Sequence, residues 1–570
     1  VAAAFILLMA LLALLLARVQ IVQGSGYAAQ AKGELDQRVT LQSVRGAIYD
    51  RDGDLLAVSV PRYDVVADDY LISGASAVAT KLGAILHLSS TKLLAQLSEQ
   101  NGYVVLAKQV DSSVNDKIEN LDISGISTQI DTLRVSPGSS VFQPLLGGVN
   151  AAGQGDAGLE YEYNSLLSGK TGTEIVPEAP GGAALPGQPQ VLSTAVAGEN
   201  LILSLDEPLQ VEVTKDVTAE MASSGSDTGL AVVEDVQTGA ILAMVDLCRL
   251  RNGVCASSGP IGPALQNLAV TAVYEPGSVM KLATISYAMH YHLISPTTSF
   301  SVPYSLNIGG YTFEDADLHP TEQLQVKTIL AQSSNIGTIE IERLLGAKRL
   351  GQALASYGFG LYTGLNWPGE SPGLVSPSST WEGATAPSVA IGTGEAVTPL
   401  QVLDAYTAVA NGGVMTTPSL VTSTVSASGK VTPVAAPKTH RVIDATTASE
   451  MVPMFEGVVQ DGTAVSACVP GYTVAGKTGT AQAPYTNGQP GYIPGDWNGT
   501  FVGFVPAEAP KLSAIVSFNR LNNSAPIYGG SVAAPVFAKI MGYALRHFDI
   551  APPVRSKTSQ IQCSVAASAG

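Results

Sequence analysis

The segment Tyr274-Glu275-Pro276-Gly277-Ser278-Val279-Met280-Lys281 decides how the rest of the chain reads. Pro and Gly set a turn, and Ser278 falls at or near the first position of a helix. The residues that follow, Leu282 to Met289, are apolar enough for that helix to be buried. A Lys three positions after a Ser lies one turn on, on the same helical face. The pair can then act as a nucleophile and its base. S-x-x-K also arises by chance in a chain this long, so its meaning depends on what else the sequence carries.

The chain has 570 residues, enough for two to four domains with sizeable cores. Its hydrophobic content of 46% excludes a disordered protein. A formal charge of −17 argues against a nucleic-acid partner, because phosphate binding needs a basic surface. The four cysteines are Cys248, Cys255, Cys468 and Cys563, with no C-x-x-C among them. A zinc ribbon or a thioredoxin-like motif is therefore not expected. Cys248 and Cys255 bracket a short polar loop, and either a local disulfide or free thiols fit that spacing.

Val1 to Ala17 is an uncharged apolar run, extended by Val19, Ile21 and Val22. At about 1.5 Å per residue the run of 17 spans roughly 25 Å, and the extension approaches a full bilayer crossing. We read it as a retained anchor. The rival is a cleaved signal peptide, for which Ala29-Gln30-Ala31 is the candidate site. Either reading places the remainder outside the cytoplasm.

Residues 38–175 alternate strand-like runs with turns, with helical periodicity over 76–100 and 111–121. A linker rich in Pro, Gly and Ala follows over 177–200. Beyond it, Leu201–Asp206 reads as a strand and Glu207–Met221 as a helix. Leu230–Glu234 and Ala240–Val245 form a hairpin. Helices are expected near 281–292, 322–345, 347–357, 399–411 and 447–460. Further strands are expected at Tyr472–Ala475, Thr500–Val505 and Leu512–Phe518. Strands first, a helical middle and strands last make an α+β domain, one antiparallel sheet with helices inserted. The expected division is an anchor over 1–22, a mixed module over 23–200, a second domain over 201–551 and a flexible tail over 552–570.

Two more motifs join the first: Ser333-Ser334-Asn335 and Lys477-Thr478-Gly479-Thr480. A serine hydroxyl is a poor nucleophile until a base takes its proton. Lys281 serves as that base only when neutral, so its pKa must fall well below about 10.4. Burial and a second cation, Lys477, are both expected to lower it. Ser333 can relay the proton, and Asn335 can bind a substrate amide. Lys477, Thr478 and Thr480 can hold a substrate carboxylate. The backbone N–H groups of Ser278 and Thr480 can form an oxyanion hole.

The chain also contains a second set of the same three patterns: Ser89-x-x-Lys92, Ser113-x-Asn115 and Lys170-Thr171-Gly172-Thr173. Here the context differs, since Ser89 reads as a helix N-cap and Lys170 leads toward the linker. Gly471 to Thr478 fits the P-loop pattern G-x-x-x-x-G-K-T. A P-loop must open a helix, and Gly479, Pro484, Asn487, Gly488 and Pro490 exclude one. The six histidines show no ligand spacing, so no metal or cofactor is expected. Glu275 and Asp315 read as turn residues rather than acids of the reaction.

Taken together the motifs resemble a class B penicillin-binding protein, a monofunctional peptidoglycan D,D-transpeptidase. Arg45-Gly46-x-Ile48-x-Asp50-Arg51-x-Gly53-x-x-Leu56-Ala57 and Gly155-x-x-Gly158-x-Glu160-Tyr161 resemble signatures of that family's pedestal. Gly169-Lys170-Thr171-Gly172 falls where the family has a structural turn. Val397-Thr398-Pro399-Leu400-Gln401 and Phe501-Val502-Gly503-Phe504-Val505-Pro506 also match. Arg134-Val135-Ser136-Pro137 departs from the family's R-x-Y-P, and Leu282 stands where Pro is common. Glu275 and Asn335 look more like the cell-division branch than the elongation branch.

The resemblance implies a dimerisation-type pedestal over 23–200 and a serine transpeptidase/β-lactamase-like domain over 201–551. It implies Ser278 as nucleophile and Lys281 as general base, with Ser333, Asn335 and Lys477 completing the site. Thr478, Gly479 and Thr480 line the substrate strand. The implied ligands are stem peptides of lipid-linked precursor strands, and β-lactams. The implied partners are a SEDS glycosyltransferase and other divisome membrane proteins. An elongation-type transpeptidase, a β-lactamase and a β-lactam sensor are the alternatives.

Overall fold

Ala2–Ala17 forms an α-helix that continues as a short π-helical turn through Val22. These 21 residues are not buried by any other described residues and are long and apolar enough to cross a membrane. The computed structural model describes residues 2–27, 36–138, 140–177, 190–485, 491–522 and 527–553. Ala29-Gln30-Ala31, linker residues 178–189, Cys563 and the tail from 554 lie outside the described residues.

The first module rests on a seven-stranded sheet. Its strands run in the order Val431–Pro433, Val421–Val425, Asn200–Leu203, Ile48–Tyr49, Leu55–Ala67 and Val104–Val110, with Ile126–Val135 also paired to Leu55–Ala67. Leu201–Leu203, expected to open the second domain, thus lies parallel to Ile48–Tyr49 in this sheet. Val421–Val425, from far along the chain, pairs with the other side of Asn200–Leu203, and Val431–Pro433 then forms the edge. The Pro/Gly-rich linker is not wholly irregular either. Gln190–Ser193 pairs with Gly172–Pro177, which pairs in turn with Asp36–Leu41. Short β-pairing of this kind leaves no period long enough to read from sequence.

A buried ion triad locks the module. Glu160 accepts from Arg45 at 2.6 Å through one carboxylate oxygen and from Arg134 at 2.6 Å through the other. Arg45 also reaches Asn164 and Ser168. Arg134, whose surroundings lack the aromatic of the family pattern, therefore keeps a pedestal contact of its own. Removing one partner of a buried pair strands the opposite charges without water. Glu160→Ala is expected to cost about 3–5 kcal/mol, read as a lower melting temperature. A shift smaller than a few degrees would contradict it.

The second domain is built on an antiparallel sheet in the order Val254–Ala256, Ile241–Arg251, Thr228–Asp235, Leu512–Asn522, Tyr492–Val505 and Ala475–Pro484. Ile261–Pro263 also pairs with Ile241–Arg251. Phe501 packs on Phe537 of the helix Gly529–His547 at 4.7 Å. On the opposite face, Ser513 bonds Thr407 of the helix Pro399–Ala410. The central strands are buried on both faces, so they read as continuous apolar runs rather than alternating ones. The α+β layout is as expected. Cys248 and Cys255 are joined as a disulfide across the hairpin of Ile241–Arg251 and Val254–Ala256, with Cα atoms 5.5 Å apart.

Two expected elements differ in a way that matters. The expected helix over 322–345 is a strand, Glu322–Gln325, and two helices, Val326–Ala331 and Asn335–Leu345. The break falls at Ser333, held at φ 62°. The strand expected at Tyr472–Ala475 instead begins at Ala475 and carries Lys477 inside it. Lys477 and Thr478 therefore lie on a strand, which disposes of the P-loop reading.

Candidate active site

The nucleophile turn is built from backbone contacts. Gly277 sits at φ 59°, a conformation that a residue with Cβ adopts only at a cost. Its N–H donates to Gly392 O at 2.9 Å. Gly277–Met280 then forms a 3₁₀ turn carrying Ser278, and Lys281–His290 continues as an α-helix. Tyr406 OH donates to Val279 O at 2.9 Å, fixing the turn from behind. The strand Ala475–Pro484 is the edge of its sheet and runs past this turn. A Cβ at Gly479 would lie 2.6 Å from Pro276 O, so the motif's glycine is what lets the two backbones approach.

Lys281 is fully buried. Its Nζ donates to Ser333 O at 2.5 Å, Ser333 Oγ at 3.2 Å and Asn335 Oδ1 at 2.8 Å. Those are three acceptors for its three donors, and among the described residues no hydrogen bond joins it to Ser278 Oγ. The side chain that links the first motif to the second is thus the lysine, not the serine. Burial lowers the Lys281 pKa to about 7, opposed by the Asp315 carboxylate. Burial, rather than Lys477, is therefore the cause of a poised base. The repulsion between the two lysines falls on Lys477, which burial and then Lys281 push well below its ordinary value.

Lys477 is also fully buried and donates to Thr478 O at 3.2 Å and Thr478 Oγ1 at 3.3 Å. Thr478 Oγ1 shares a hydrogen bond with Thr463 Oγ1 at 2.7 Å. Thr480 Oγ1 accepts from Gly529 N–H at 3.2 Å, which leaves its own proton to donate.

The residue that sequence reasoning undervalued is Asp315. Its Oδ1 accepts from the N–H groups of Asn335 at 2.5 Å and Ile336 at 3.0 Å. Its Oδ2 accepts from Ser334 Oγ at 2.8 Å and faces His319 Nε2 at 3.2 Å. Ser334 in turn caps the helix, accepting from Gly337 N–H at 2.9 Å. One carboxylate therefore fixes the whole Ser333-Ser334-Asn335 turn and neutralises the helix N-terminus. Glu275, also read as a turn residue, accepts from Gly394 N–H at 3.1 Å and from Tyr492 OH at 2.9 Å.

The second motif set is scattered through the first module. Ser89 stands at the N-cap of Ser90–Gln96, as expected, but its side chain makes no capping bond. Ser113 and Asn115 lie on Ser112–Glu119, and Lys170 precedes the strand Gly172–Pro177. Among the described residues no hydrogen bond joins the three motifs.

Ser278 and Ser333, half-buried, and Lys281 and Lys477, fully buried, stand where an edge strand meets a helical layer, the pattern of a serine acyltransferase of the penicillin-recognising type. The chain belongs to that family. The penicillin binding protein transpeptidase domain matches residues 229–542, and the penicillin-binding protein dimerisation domain matches residues 40–203. Penicillin-binding protein PbpB of Mycobacterium tuberculosis is 32% identical over 96% of this chain and 84% of that protein. Peptidoglycan D,D-transpeptidase FtsI of Escherichia coli K12 is 29% identical over 89% of this chain and 84% of that protein. Among solved structures, a peptidoglycan synthetase from Bifidobacterium adolescentis has a TM-score of 0.74 at 28% identity, covering 92% of this chain and 99% of that one. Penicillin binding protein 3 from Mycobacterium tuberculosis, complexed with aztreonam, has a TM-score of 0.70 at 28% identity, covering 90% and 98%.

Proposed function

We propose that the chain is a septal peptidoglycan D,D-transpeptidase that works through an acyl-enzyme on Ser278 and is acylated there by β-lactams. The observation that carries this reading is the buried Lys281, poised near neutrality and bonded to Ser333 and Asn335. Ser278 Oγ attacks the penultimate D-Ala carbonyl of a stem peptide and its proton passes to Lys281. Ser333 relays that proton to the departing amine, so D-Ala leaves as a neutral amino group. An amine of a neighbouring stem then attacks the ester and regenerates Ser278. The N–H groups of Ser278 and Thr480 stabilise the oxyanion in both steps. Lys477, Thr478 and Thr480 take the terminal carboxylate, and that charge returns Lys477 to its protonated form.

The boundaries we propose are an anchor over 1–22, a pedestal over 23–200, a catalytic domain over 201–551 and a tail over 552–570. Ala2–Val22 is long and apolar enough to cross a membrane, and in this reading it holds the enzyme in the cell membrane with its catalytic domain on the side of its peptidoglycan substrate, outside the cytoplasm. The septal role rests on likeness to FtsI and PbpB. A SEDS glycosyltransferase and other divisome proteins are the partners that this role suggests.

Intact-mass detection of a stoichiometric penicilloyl adduct, mapped to the peptide that contains Ser278, tests the assignment. An adduct on another peptide, or none, would sink it. Rapid turnover of the drug would instead favour a β-lactamase.

A further inference from the structure

The helix Pro399–Ala410 runs behind the nucleophile turn, which its Tyr406 holds through Val279 O. Asp404 stands two residues earlier, roughly 200° round the same helix, and so faces away from that turn. There it lines a cavity of about 130 Å³.

Asp404 is only 4% exposed, and its Oδ1 is buried without a hydrogen-bond partner. Gln401, one turn earlier on the same wall, cannot supply one, because its amide is committed to the carbonyls of Gly358, Leu361 and Pro372. Two more acids add to the negative charge. Glu234 is buried on the strand Thr228–Asp235, where its Oε2 accepts from Thr407 Oγ1 at 2.8 Å and its Oε1 has no partner. Glu370 accepts at 2.6 Å from both the N–H and the Oγ1 of Thr363, which also lines the cavity. Burial, and then the charges of Glu234 and Glu370, raises the Asp404 pKa well above its ordinary value. Among the described residues no salt bridge reaches any of the three acids, and no Lys or Arg lines the cavity. A buried carboxyl without a partner is unfavourable, and this one looks into open space that a cation can enter.

We infer that the cavity is a binding site for a small organic cation, a primary ammonium group on a short alkyl stem, with Asp404 as its counter-ion. The acids set the charge of the ligand, and the rest of the wall sets its shape. Tyr357, Met415 and Pro418 line the cavity with apolar surface that suits an alkyl stem and that a hydrated inorganic ion cannot use. Thr416 and Thr417 bring hydroxyl oxygens for the remaining ammonium donors. A divalent metal needs several oxygen ligands at once, and among the described residues no three acids or histidines are grouped to provide them. The site lies apart from Ser278 and stands independently of the transpeptidase reading.

The full chain in detergent tests it with n-butylammonium chloride, against n-butanol and potassium chloride at the same concentrations. Calorimetric titration is expected to show one saturable equivalent of butylammonium, with a rise of about 3 °C in melting temperature at saturation and none from the other two. Asp404→Asn is expected to abolish both signals, and Glu234→Gln to weaken binding about threefold. A cooperative melting transition shows that each variant is folded. Should Asp404→Asn fail to fold, Ala355→Leu keeps every charge, fills part of the cavity and is expected to weaken binding about tenfold. The rival occupant is water, and a wild type that binds no butylammonium overturns the site. An equal response to n-butanol would make the cavity an apolar void, and an equal response to potassium chloride would make the effect one of ionic strength. Either overturns the organic-cation site, as does binding that is undiminished in Asp404→Asn or in Ala355→Leu.

Discussion

Replacing Ser278 by Ala is expected to abolish the penicilloyl adduct and all thioester turnover, a loss of about 10⁶-fold or to below detection. The expectation is strict because the rest of the site has no other nucleophile in the right state. Lys281 spends its three donors on Ser333 and Asn335, and Ser333 is held against it with its backbone at φ 62°. Thr478 and Thr480 have their hydroxyl oxygens engaged with Thr463 and Gly529. The fold should hardly notice the change. Ser278 Oγ has no hydrogen bond among the described residues, and the turn is held by Gly277, Val279 and their partners. A melting temperature within a few degrees of wild type is expected. Ser89→Ala is the companion control, with labelling intact, because its motif sits in the first module far from any partner motif. A surviving adduct in Ser278→Ala, or its loss in Ser89→Ala, would reverse the choice between the two sets.

That choice shows what the sequence could and could not carry. Motif letters alone were equal for Ser278 and Ser89. The difference lay in what followed: long apolar runs after Lys477, and a linker after Lys170. Those runs are the two-faced strands Tyr492–Val505 and Leu512–Asn522, whose burial on both sides is a composition signal as much as a pattern. Where local sequence fixes the structure, as at the Pro276-Gly277 turn or the helix Pro399–Ala410 that Pro399 opens, the reading was direct. Where distant segments meet, it failed. Val421–Val425 joins the first module's sheet across more than 200 residues, and nothing in its letters says so. The break at Ser333 was hidden because the apolar spacing continues through it, although the turn is what turns Ser333 toward Lys281. Asp315 was passed over for a similar reason. An acid in a loop is unremarkable until a helix N-terminus 20 residues later folds onto it.

Asp315 therefore supports the second large effect. Asp315→Ala is expected to slow penicillin acylation about a hundredfold, because Ser333 and Asn335 lose the carboxylate that orients them and small displacements of reacting groups are costly. The stability cost should be that of a lost helix cap, about 0.5–2 kcal/mol, so the protein remains folded. Asp315→Asn separates geometry from charge. The amide keeps one oxygen for the N–H groups of Asn335 and Ile336 but removes the negative charge near Lys281 and His319. Lys281 acts as base when neutral, so wild-type acylation should rise with pH through an apparent pKa of about 7 and level off above it. The Asp315 carboxylate favours the ammonium form and so holds that pKa up. Without its charge the neutral form appears at lower pH, and the rising limb should move to the acid side. At pH 6 the variant would then retain a larger fraction of its own plateau rate than the wild type does. His319, whose pKa is raised by Pro320 O and Asp315, faces the same carboxylate, and His319→Gln in the Asp315→Asn background removes its contribution to the profile. A limb that stays in place would mean that Asp315 shapes the Ser333 turn without tuning Lys281. A limb that moves to the alkaline side would mean that the lysine's proton is set by a different neighbour, and Lys477 would be the first to substitute.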